Sequence, residues 1–243
     1  MTADTIFING HICTMDENDS WCTAIAVKDG KISALSDDSI ADKLSDENTD
    51  IYDLTERYVL PGFIGVNTHP YIDEAGGDVI DTLLELEEET EIADALADIM
   101  PLYIDYLQTH GFSAVYRNDL PDPLLQQFNN SPDDTKKAVP HFQVPRDGDP
   151  EDLFADGYRP PELINSYTRV AASALGISGD RGSIQIGKRA DMVAFEENPF
   201  DFKQKKNALL PYASVLIIAG DIVYDEQQAV EMEWYELLTH QYF

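Results

Sequence analysis

The sequence predicts an α/β region set between two all-β segments, one toward each end of the chain. Three observations carry this. Residues 4 to 60 hold short apolar and β-branched runs broken by Asn9-Gly10 and Asp29-Gly30, both two-residue hairpin signals. Residues 63 to 119 change to the order strand, helix, strand, the form of a βαβ unit with parallel strands. Residues 215 to 224 return to a hairpin pattern around Gly220-Asp221.

Composition narrows the function classes. At 243 residues the chain makes one large domain or two small ones, and 43% hydrophobic content is enough for a core. The net charge is −30, from 46 acids against 16 bases. Such a surface repels phosphate backbones and anionic bilayers, so neither nucleic acid nor membrane is an expected partner. It suits solubility or a salt-rich medium, or an acidic docking face for a basic partner. Cys13 and Cys22 are too few for a disulfide scaffold and form no CxxC. The start, Met1-Thr2-Ala3-Asp4, has no basic and apolar leader, and no apolar run approaches the roughly 18 residues of a membrane span. The expectation is a cytoplasmic protein with reduced thiols.

The elements follow in order. Thr5 to Ile8 and His11 to Met15 read as strands around Asn9-Gly10, with His11 a surface residue. Thr23 to Lys28 and Lys31 to Leu35 flank Asp29-Gly30; Ser39 to Leu44 is a short helical piece and Asp50 to Leu54 a strand. Leu60 ends another strand, Pro61-Gly62 is a turn signal, and Phe63-Ile64-Gly65-Val66 is an apolar run typical of a strand buried on both faces. Asp78 to Leu107 shows helical spacing, interrupted at Pro101 and closed by His110-Gly111. Phe112 to Tyr116 is the next strand, ending in Arg117-Asn118-Asp119, and Lys137 to Val144 is a further candidate. Pro160-Pro161 opens a helix whose apolar face is Leu163, Ile164, Tyr167, Val170, Ala171, Ala174 and Leu175, and Gly176 stops it.

Two long motifs stand out. Leu60-Pro61-Gly62-Phe63-Ile64-Gly65-Val66-Asn67-Thr68-His69 places a polar cluster at a strand's C-terminal end, where parallel α/β folds bind ligands. Gly182-Ser183-Ile184-Gln185-Ile186-Gly187-Lys188-Arg189-Ala190-Asp191-Met192-Val193 is the second, after Tyr167-Thr168-x-x-Ala171-Ala172 and before Asn198-Pro199-Phe200. Together they resemble the amidohydrolase superfamily of metal-dependent hydrolases, in its amidohydrolase-3 branch, over about residues 4 to 69 and 160 to 226. The first motif is similar to the family's first barrel strand, Leu-Pro-Gly-Phe-Ile-Asp-x-His-x-His. On that pattern His69 matches the second histidine, Asn67 stands at the first and Gly65 at the acid.

The resemblance implies a composite β-sandwich from both chain ends, residues 1–60 plus 176–226. A (β/α) barrel is implied between them, over 61–175, with an amphipathic tail at 227–243. A full barrel needs roughly 250 residues, and only about one hundred separate His69 from Tyr167. The barrel is therefore expected as a truncated remnant. Lys137 to Val144 then takes the place of either the third or the last barrel strand. On the second placement Asp147 corresponds to the family's catalytic aspartate, with Asp149 the alternative. His69 and Asn67 are the implied metal positions. An amide oxygen is a poor zinc ligand, and no histidines remain for the family's fifth and sixth strands; His110, His141 and His240 stand elsewhere.

The resulting expectation is an amidohydrolase-like protein without an intact metal centre and without a cofactor, apart from weak binding of a divalent cation such as Zn or Mg. The alternatives are an active hydrolase of non-peptide C–N bonds, its site completed in an oligomer, and an acidic interaction protein. A truncated barrel leaves sheet edges to cover, and the tail carries Val230, Met232, Trp234, Leu237, Leu238, Tyr242 and Phe243, so a two-fold dimer is expected.

Overall fold

The computed structural model of the chain describes residues 2–66, 108–116, 159–202 and 210–227. Eight elements come first: β1 (Thr5–Ile8), β2 (His11–Cys13), β3 (Trp21–Cys22), β4 (Ala24–Lys28), β5 (Lys31–Ser36), α1 (Ile40–Leu44), β6 (Asp50–Asp53) and β7 (Tyr58–Pro61). Next come β8 (Phe63–Val66) and β9 (Phe112–Tyr116). The remainder is α2 (Pro160–Asn165), a π-helical turn (Ser166–Val170), α3 (Ala171–Leu175), β10 (Met192–Phe195), β11 (Val215–Ile218) and β12 (Asp221–Asp225).

These strands make a four-stranded sheet, β5-β4-β1-β6, a six-stranded sheet, β12-β11-β10-β7-β2-β3, and the pair β8-β9. Strands from both chain ends meet in the six-stranded sheet, where β10 lies antiparallel to β7 with Val193 opposite Leu60. This sheet is buried on both faces. Ile12, Val59, Met192, Ala194, Val215 and Ile217 pack toward Phe7, Ile25, Val27 and Ile32 of the four-stranded sheet. Their neighbours Cys13, Leu60, Val193, Phe195, Leu216 and Ile218 pack the other way, with Phe63, Phe112 and Ile164. The period-two alternation thus feeds two cores, which is why β10 and β11 read as unbroken apolar runs.

The Asp29-Gly30 hairpin forms as read: β4 and β5 pair antiparallel, and both turn residues have positive φ, 51° and 70°. The Asn9-Gly10 hairpin does not form. β1 belongs to the four-stranded sheet and β2 to the six-stranded one, so the dipeptide is where the chain crosses between sheets. The same crossing recurs at Thr23 and at Leu54–Arg57, and backbone bonds tie the three corners together. Gly10 N donates to Thr23 O (3.1 Å), Glu56 N to Asn9 O (2.8 Å) and His11 N to Arg57 O (2.8 Å). Each corner thereby satisfies the polar groups that its own strands leave open. Leu54 fills the junction, its Cδ1 only 2.6 Å from where a Gly10 Cβ would stand.

Three smaller readings also change. Pro61-Gly62 is not a reversal: Pro61 is the last residue of β7, and Gly62 alone leads into β8. The last hairpin turns at Ala219-Gly220, with φ of 52° and 88°, one residue before the expected Gly220-Asp221. In the helix, the π-turn shifts the buried face, so that Thr168 and Ala172 join Leu163, Ile164, Ala171 and Leu175 while Val170 is only half-buried. Gly176 ends it in the left-handed region, as read. Among the described residues no helix is long and apolar enough to cross a membrane.

Candidate functional site

Ligands in parallel α/β folds bind where the strands end. β8 and β9 are parallel, in a register that sets Val66 beside Tyr116, so the two strands finish side by side. The next residues in sequence are Asn67-Thr68-His69 after β8 and Arg117-Asn118-Asp119 after β9. These residues, and Asp147, Asp149, His141 and His240, lie outside the described residues, as do the candidate strand 137–144, most of the helix read before His110, and the tail after Gln227. The described part is the platform on which the strand ends stand.

That platform accounts for the motif residues. Gly62 enters β8 with its N–H donating to Asp191 O at 2.9 Å. A Cβ there would come within 2.4 Å of Ser113 Oγ and 2.5 Å of its Cβ, so only glycine lets β9 lie this close. Phe63 stacks among Phe112, Tyr167 and Phe195, with ring centroids 6.2, 5.7 and 6.0 Å away. Ile64 turns to the opposite face, against Ala171, Ala172 and Leu175 of α3. The next position, Gly65, is buried and brings no side chain where the family pattern has an acid. Gly182, at φ 86°, would carry its Cβ 2.4 Å from Ala172 Cβ and 3.0 Å from Thr168 O. The helix motif and the closing motif are therefore one packing contact.

Asp191 is the polar centre of the closing motif and is almost wholly buried. Its Oδ1 accepts from Arg189 Nε (2.8 Å) and from Ala219 N (2.8 Å), while Arg181 Nη1 stands 3.1 Å from Oδ2. One residue thus joins three places, its main-chain carbonyl holding the entry of β8 and its carboxylate the turn before β10 and the last hairpin. Asp191 stands at the entry of β8, opposite the end where parallel strands carry ligands, in keeping with a stabilising role. The closing motif contains Asp191, but nothing in the sequence alone marks it as the buried partner of both arginines.

Two further pairs link distant segments. Arg57, 2% exposed, donates from Nε to Glu196 Oε1 at 2.8 Å. Tyr52 Oη donates to Asp225 Oδ2 at 2.8 Å, and burial together with that bond pushes the phenol up to about 12. Lys188 donates to Ser183 Oγ at 2.6 Å, and loss of solvent lowers its pKa. His11 pairs with Glu56 Oε2 (3.0 Å) and stacks on Tyr58 (4.9 Å), a partly exposed position in keeping with a surface residue. His110 lies edge-on to Tyr212 at 5.2 Å. Among the described residues no group of three or more His, Cys, Asp or Glu side chains could hold a metal ion, so this part of the chain does not fit a metal centre. Cys13 and Cys22 are free and pack into different cores, on either side of the six-stranded sheet.

Comparison with known proteins places this architecture. Residues 146–224 match the model of the amidohydrolase family. No curated protein matches. Among solved structures, an adenosine deaminase from Xanthomonas campestris with bound zinc superposes with a TM-score of 0.60 at 12% identity, over 98% of this chain and 97% of that one. A triazine hydrolase from Arthrobacter aurescens gives 0.55 at 12%, over 97% and 98%. The guanine deaminase of E. coli gives 0.56 at 10%, over 92% and 98%. At such identities the likeness is one of fold. Over residues 146–224 the sequence is similar to the amidohydrolase family, and the fold is similar to those of these solved structures.

Proposed function

We propose that this protein keeps the amidohydrolase scaffold without assembling the complete hydrolytic metal centre within one chain. The observation behind this is the state of β8. Its entry is built into the core through Gly62, Asp191 and α3, while the acid position is the buried, side-chain-free Gly65. The first histidine position is Asn67, whose neutral amide oxygen is a weak zinc ligand. On this reading residues 1–60 and 176–226 form the composite β-sandwich, 61–175 the truncated barrel remnant, and 227–243 a tail that covers apolar surface in a homodimer. His69 and Asn67 are then vestigial metal positions and Asp147 the remaining candidate for the catalytic aspartate. No nucleic acid or membrane enters this reading, and a cytoplasmic location suits its free thiols.

The zinc bound by the deaminase neighbour favours a second reading, an active hydrolase of non-peptide C–N bonds completed by another subunit. Elemental analysis of the purified, dialysed protein separates the two, with turnover measured on a panel of amides, aminopurines and aminotriazines. The expected result is less than stoichiometric zinc and no turnover. Stoichiometric zinc with turnover would establish the second reading and discard the first.

A further inference from the structure

One edge of the four-stranded sheet is β6, and among the described residues its backbone is half used. Asp50 N donates to Asp4 O at 2.9 Å and Leu54 N to Ile8 O at 2.9 Å. In a parallel ladder alternate residues face the partner strand, so Asp50, Tyr52 and Leu54 bond toward β1. Ile51 and Asp53 present their N–H and C=O groups to the outside, and among the described residues nothing bonds to them. Ile51 is in register with Ile6 and so shares its face. There α1 covers Ile6, Ala24 and Ala26 through Ile40 but does not reach Ile51, which is 52% exposed. Tyr52 turns inward onto Phe7, with ring centroids 5.9 Å apart. The result is a strand whose outer edge is unpaired among the described residues, with an apolar side chain at its middle and a carboxylate at each end, Asp50 on one face and Asp53 on the other.

We propose that β6 is a docking edge for an extended, cationic segment of another protein, which adds as a fifth strand beside it. Strand addition draws its affinity from main-chain hydrogen bonds and its selectivity from alternate side chains. Here the selective features are Ile51 and the two acids. Charged residues on an edge keep it from pairing with its own kind. A second copy of β6 would bring four carboxylates into one short ladder, and like charges across strands destabilise the pairing. That protection is of one sign only. A strand with Lys or Arg three residues apart meets Asp50 and Asp53 with opposite charge on each face and sets an apolar residue beside Ile51. The chain's net charge of −30 draws the same class of partner over longer range. This inference does not depend on whether a metal centre exists.

The test uses the full chain and a capped peptide with the core Lys-Val-Val-Lys, with Glu-Val-Val-Glu as control. Amide hydrogen exchange of Ile51 and Asp53 is followed by NMR. The lysine peptide slows both by about tenfold or more at saturation, and added salt reverses the effect. The glutamate peptide leaves both unchanged. Ile51→Pro removes an outward N–H without touching the β1 ladder, so it abolishes lysine-peptide protection while circular dichroism stays that of the parent. Asp50→Lys keeps every backbone group and weakens the lysine peptide, which decides the matter if the proline variant does not fold. Absence of protection, equal protection by both peptides, or protection that survives Asp50→Lys overturns the proposal.

Discussion

Replacing Asp191 probes whether the closing motif is a structural joint. The carboxylate is 5% exposed and holds Arg189 (18% exposed) and Arg181 (10% exposed) together with the N–H of Ala219. In Asp191→Ala the arginines lose the charge they share and the buried amide loses its acceptor. Removing one member of a buried ion pair costs about 3–5 kcal/mol. An unsatisfied buried amide adds about 1–3 kcal/mol, but Arg181 keeps Asp180 at 3.4 Å, which offsets part of the loss. The net expectation is about 4 kcal/mol, a large part of the 5–15 kcal/mol typical of a folded protein. Asp191→Asn keeps an acceptor for Ala219 and should cost about half as much, on the order of 2 kcal/mol. Urea unfolding followed by far-ultraviolet circular dichroism reads both. With a slope of about 3 kcal/mol per molar, the alanine variant should unfold more than about 1 M earlier than the parent. A loss below about 0.5 M in the alanine variant would refute the argument, because a buried carboxylate bridging three segments cannot be removed so cheaply.

Three further outcomes are expected. Gly62→Ala forces its Cβ onto Ser113 and should cost about 1–3 kcal/mol of stability by urea titration, with Ser113→Gly in the same chain restoring most of it. Asp16 is held below the usual carboxylate range by the Ser20 backbone N–H above all, then by its other hydrogen bonds, so its contribution is present above the unfolded-state pKa and is lost as pH falls through the lower folded one. Asp16→Asn should therefore be less stable at pH 7 by less than about 1 kcal/mol, since solvent screens these exposed bonds, and the difference should vanish on acidification. Burial raises the Cys13 thiol and pushes Cys22 up to about 11. At pH 8 a disulfide reagent should label the native thiols about a hundredfold more slowly than the urea-unfolded ones, and equal rates would contradict their burial.

What the sequence by itself determined is what short-range chemistry decides. Asp29-Gly30 makes its hairpin because both residues accept positive φ and the flanking strands stay neighbours in one sheet. Gly176 ends α3, and the apolar run of β8 announced burial on both faces. The two motifs pointed to the fold because their glycines record close approaches, of β9 to Gly62 and of the helix to Gly182. Tertiary structure decided the rest. Asn9-Gly10 carries the same local signal as Asp29-Gly30, yet β2 pairs with β7, some 45 residues on, because the corner filled by Leu54 leaves each strand a better partner in a different sheet. The π-turn at Ser166–Val170 was invisible for the same reason: the helix's phase answers to Gly182 and Phe63, residues far along the chain. Asp191 stood in the closing motif with no role of its own, and only the fold that closes Arg181, Arg189 and Ala219 around it makes that role visible. A hydrogen bond or ion pair counts once water is excluded from it, and which groups lose water is a property of the assembled layers.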